Sequence, residues 1–132
     1  MRTPLCIKAL LIGFAGISLV SAQGVADRSP SYDVKSEVVV AGKVAAVAVI
    51  PDWMGKKGVN VTLQTPESVM IHVDTAPADF LKMLDFPIAA GDDLEVAGVW
   101  SQWDGNRVFL AGTVTRHKVA VCFRGPDGKV VW

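Results

Sequence analysis

The chain is short of cysteine, of long apolar runs and of any excess of charge. Of 132 residues two are cysteines, and 13 basic side chains balance 13 acidic ones. Charge balance excludes the strongly basic surface of a nonspecific polyanion binder. The one long apolar stretch, Ala9 to Val20, is too short for a membrane span. It follows Arg2 and Lys8 and ends at Val20-Ser21-Ala22, the pattern of a secretory signal peptide over residues 1–22. Its removal leaves 110 residues with 11 basic and 13 acidic side chains, a net charge near −2, and places the protein in the periplasm or outside the cell. Cys6 leaves with that leader, so Cys122 is expected to stand as a lone, buried thiol. One domain is the natural size for what remains.

What is present is alternation. Residues 23–33 are polar and read as a flexible leader before a domain over 34–132. From Val38 to Ile50 the apolar period is two, and Gly42 predicts a bend or bulge within a long first strand. Pro51 to Gly58 reads as a loop. Val59, Val61 and Leu63 alternate with Asn60, Thr62 and Gln64; after Thr65-Pro66-Glu67, Val69, Ile71 and Val73 alternate with Met70, His72 and Asp74. The first trio of each set is expected to face the core. Thr75 to Leu84 predicts a helix of two to three turns, with Thr75 capping it and Pro87 beyond its end. Leu94, Val96, Gly98 and Trp100 begin a further strand. Asp104-Gly105 turns it into Arg107 to Arg116, and Gly125-Pro126-Asp127-Gly128 predicts a closing hairpin.

Five strands, a long bent first one and a helix between the third and fourth predict an all-β chain with a small helical part, an OB-fold-like barrel plus a C-terminal hairpin. A β-grasp or other α+β roll is the competing plan. Gly42-Lys43, Val59 to Thr65, His72-Val73-Asp74, Phe80-Leu81, Gly91 to Gly98 and Arg124 to Trp132 resemble small exported bacterial OB-fold proteins, and the C-terminal domain of the magnetosome proteins MamS and MamX. The resemblance covers residues 36–132. Larger relatives can carry haem through Cys-x-x-Cys-His, a motif absent here, so the resemblance implies no haem and no cofactor.

OB-folds bind ligands on strands two and three, between the loops that follow strands one and four. The outward residues there, Asn60, Thr62, Gln64, Met70, His72 and Asp74, include no aromatic ring and no Arg or Lys. Trp53, Met54, Lys56 and Lys57 occupy the first loop, and Trp103 and Arg107 the second. They are candidates for partner anchoring, or simply caps on the barrel ends. His72 and Asp74 are a candidate metal pair, with His117 a remote third donor, and an ordinary surface pair is the competing reading. Met54, Met70 and Met83 lie on different elements and give no copper spacing. No nucleophile–base set and no phosphate-binding glycine loop stands out. The expectation is therefore a non-enzymatic binding module for a cell-envelope protein or small ligand, through Trp53, Lys56, Lys57, Asn60, Thr62, His72, Trp103 and Arg107. Single-stranded nucleic-acid binding and metal handling are the alternatives.

Overall fold

The computed structural model describes residues 30–132; the leader predicted over residues 1–22, and most of the flexible stretch after it, lie outside the described residues. A short 3-10 turn (η1, Val34–Ser36) leads into β1 (Val38–Pro51), β2 (Lys57–Gln64), β3 (Met70–Pro77), the helix α1 (Ala78–Met83), β4 (Asp93–Trp103), β5 (Asn106–Arg116) and β6 (Val119–Cys122). The strands follow the order β3-β2-β1-β4-β5-β6, and a parallel pairing of β3 with β5 closes the first five into a ring. This is a mostly β, barrel-like fold with one short helix after the third strand. Among the described residues no helix is long and apolar enough to cross a membrane.

The period-two pattern builds the core as expected for Val59, Val61, Leu63, Ile71 and Val73, which pack with Val44, Leu94, Val96, Phe109 and Phe123. Val69 does not join them. It lies before β3 and is 54% exposed, because Ser68 turns at positive φ and Val69 closes the turn by donating to Thr65. The bulge in β1 falls at Ala45 rather than Gly42. Gly42 is needed for close approach instead, since a Cβ there would lie 2.3 Å from the Gln64 carbonyl oxygen.

The helix is shorter than its sequence signals. Thr75 belongs to β3, buried, its hydroxyl donating to the Val59 carbonyl at 2.7 Å, so it does not cap the helix; Pro77 stands at the N-cap. Beyond β5 the chain reverses at His117 and Lys118, both at positive φ, and β6 pairs back onto β5. The closing hairpin follows, reduced to a bridge between Arg124 and Val130 with Val131 donating to Phe123. Trp132 ends it against Phe80 and Phe123, at ring separations of 5.3 and 6.2 Å. Cys122 is half-buried and is not a free thiol; the expectation that it stands alone rested on the loss of Cys6, which lies outside the described residues.

Candidate functional site

Register brings the outward residues of β2 and β3 together: Asn60 faces Asp74, Thr62 faces His72, and Gln64 faces Met70. The Thr62 hydroxyl approaches His72 Nδ1 at 3.4 Å. No group of three or more His, Cys, Asp or Glu side chains stands together among the described residues, so the His72–Asp74 pair has no third donor there.

The two loops diverge in their surroundings. Trp53 sits in a tight turn organised by Asp52, whose Oδ1 accepts from the Met54 and Lys56 amides at 2.8 and 2.9 Å. It lines a cleft of about 560 Å³ together with Tyr32, Arg124, Asp127 and Lys129. Lys56 and Lys57 line a separate cavity of similar size, beside Phe80, Met83 and Trp132. Trp103 and Arg107 line neither. Arg107 lies 3.9 Å from the Trp100 ring centroid, and Trp100 meets Phe109 edge to face. The eight residues nominated from sequence therefore fall into several places rather than one.

The Trp53 cleft is backed by groups that alternation does not reveal. Tyr32 donates to Glu37 at 2.5 Å, and Arg124 stacks over the Tyr32 ring at 4.4 Å while donating to the Gly128 carbonyl at 2.7 Å. Burial holds the Tyr32 hydroxyl protonated above the usual phenol range, and Glu37 adds to it. Burial pulls the Arg124 guanidinium down from its ordinary value, against the opposing pull of Tyr32 and Asp74. Asp74, on the outer side of β3, is pushed up to about 6, chiefly by burial and then by Asp52, with Arg124 acting the other way. Arg124 Nε is buried without a hydrogen-bond partner. Asp52, Asp74, Arg124 and Tyr32 are thus electrostatically linked, and Tyr32 and Arg124 of this group line the cleft.

The signals for it were present but faint. Gly112 is the extra residue of a bulge in β5, and a Cβ there would lie 2.2 Å from the Tyr32 hydroxyl. Gly128, at positive φ, likewise presses on Tyr32 and Val34. Two glycines receive one ring.

Residues 36–121 match the MamS/MamX magnetosome protein family. The chain belongs to that family. The stretch shared with the MamS/MamX family contains Trp53 and Asp74, whereas Tyr32 precedes it and Arg124 and Lys129 follow it. The cleft is thus built partly from the family domain and partly from the two segments flanking it. No curated protein matches the chain.

Proposed function

We propose that this MamS/MamX family member is an exported, non-enzymatic binding module of the cell envelope, which takes a segment of a partner protein or a small ligand into the cleft beside Trp53. The observation that carries this reading is the cleft itself. About 560 Å³ of space has two aromatic rings and two cations on its walls, Tyr32 and Trp53 with Arg124 and Lys129. Aromatic and cationic side chains around a concavity are the usual anchors of recognition. Two of the polar groups of the cleft hold backbone: Asp127 accepts from the Lys129 amide, and Arg124 Nη1 donates to the Gly128 carbonyl. That suits a rigid receptor better than proton transfer. The polar β2–β3 face, without rings or cations, offers bases nothing to stack on and phosphates nothing to pair with.

The test is a photo-crosslinking amino acid placed at position 53 and, as a control, at position 72, in chain mixed with envelope extract. A discrete adduct from position 53 that disappears in the Lys129→Glu variant supports the cleft. Equal labelling from both positions, or none from 53, rejects it. A mixed-sequence oligonucleotide that quenches tryptophan fluorescence, less so as salt rises, would turn the reading to nucleic acid instead.

A further inference from the structure

The second half of β1 is an anomaly. Every residue from Ala45 to Pro51 is exposed, and all seven are apolar. β4 pairs with β1 only as far as Lys43, and Val44 then exchanges bonds of 2.8 Å with the Gly91–Asp92 backbone. Beyond that point β1 has β2 on one side and, among the described residues, nothing on the other. Which groups point out follows from alternation. Asp52 donates across the hairpin to Lys56, so Ile50, Ala48 and Ala46 address β2. Val47 and Val49 direct their N–H and C=O groups into the open.

Monomeric proteins guard such an edge with charge, proline or a covering element, because an open apolar edge templates another strand. Here the bulge at Ala45 and Pro51 bound the edge, and between them Ala46 to Ile50 carry no charge, no proline and, among the described residues, no covering element. We infer that this edge is a docking surface for a second copy of the chain, the two β1 strands pairing antiparallel about a two-fold axis. An antiparallel pair is self-complementary by symmetry, and one register satisfies the outward groups of both copies. Val47 lies opposite Val49 of the other copy, and Ala48 opposite Ala48 on the axis. On the outer side alanine then meets alanine at the axis and Ile50 meets Ala46 beside it, and on the inner side valine meets valine. The ends agree in charge. The two-fold carries each hairpin tip, with exposed Lys56 and Lys57, toward the turn that bears exposed Asp93 in the other copy, a carboxylate they would share with Lys43 of that copy. This inference is independent of the Trp53 cleft.

The experiment measures the mass of the purified full chain by light scattering across a concentration series, beside Val49→Lys and Ala48→Cys variants. Opposed residues of a non-hydrogen-bonded antiparallel pair have Cα atoms about 4.5 Å apart, close enough for a disulfide on the axis. The expected result is a mass that doubles with concentration, a Val49→Lys variant that keeps the circular dichroism of the parent but stays monomeric, and an Ala48→Cys variant that cross-links under mild oxidation while Lys82→Cys on exposed α1 does not. A parent that is monomeric at every concentration overturns the inference. So does association that survives Val49→Lys and leaves the Ala48→Cys variant unlinked, which would assign the contact to another surface. Dimerisation that appears only after residues before Pro30 are removed would show that the chain's own leader occupies the edge, and also overturns it.

Discussion

The barrel has two outer faces that the same alternation would describe alike, and they have opposite fates. On β2 and β3 the outward residues form a largely polar surface on which Gln64, Met70 and His72 are exposed and Asn60, Thr62 and Asp74 half-buried. On β4 and β5 the outside has become a second interior. Val99 and Leu110 are 2% and 1% exposed, although neither belongs to the central core cluster. There η1 packs on β4, and the Tyr32 ring is seated against Gly112 of β5 and Gly128 of the C-terminal turn. What separates the faces is the arrival of the chain ends, and their seam supplies the ring-and-cation cleft in which Trp53 takes part. A polar face with no neighbour stays a surface; a face that receives a tyrosine and an arginine becomes a site.

That contrast is breakable. Arg124→Ala removes the stack on Tyr32, the bond to the Gly128 carbonyl and the positive charge facing Asp74, and is expected to cost about 3 kcal/mol. Chemical denaturation reads it directly, and a loss below about 1 kcal/mol would show the seam to be decorative. The next effect is one of pH. Asp74 holds its proton up to about 6 when folded, against an ordinary value of 3.8. Below that lower value both states are neutral. Between the two the unfolded chain ionises first, so Asp74 makes stability fall as pH rises, and the fall levels off above about 6. Allowing for residual exposure the contribution is about 2 kcal/mol. Asp74→Asn is therefore expected to be more stable than the parent at pH 7 and to match it at the acid end of the range. A difference between them that does not change with pH would remove burial as the cause.

Gly112→Ala tests the seat of Tyr32. Its Cβ must displace the phenol rather than backbone, so a loss of about 1–2 kcal/mol is expected, with faster proteolysis ahead of η1 as the local signature. The smallest effect belongs to the bare face, where Thr62→Ala should shift stability by no more than about 0.5 kcal/mol. A larger loss there would mean that this face is covered in the native protein, and the contrast would vanish.

Much of the barrel was readable in advance for a physical reason: a strand half-buried on a closed sheet must alternate, and Val59 to Leu63, Ile71 and Val73 do. Leu94, Val96 and Gly98 keep that alternation along β4, but it breaks beyond them, where Val99 is buried and Trp100 is exposed. Asp104 and Gly105 both take positive φ, as an Asp-Gly hairpin should. His117 and Lys118 adopt the same kind of turn with neither Asn nor Gly, so the pairing of β6 with β5 left no local trace. Thr75 has the chemistry of a helix cap, but its hydroxyl finds the Val59 carbonyl across the sheet, and tertiary structure prevails over local preference. The cleft was legible only at Trp53. Tyr32 lies in a polar stretch that resembles a linker, and Arg124 beside a turn that looks solvated. Their meeting depends on where the ends of a barrel come to rest, and periodicity within a strand carries no information about that.

The clasp between Tyr32 and Arg124 also sets an order in time. Tyr32 lies ahead of β1, whereas Arg124 and Gly128 follow β6, so the contact spans the whole barrel. The outer seam is therefore a contact of long sequence separation that forms late in folding, because loop closure over nearly the whole domain must come first.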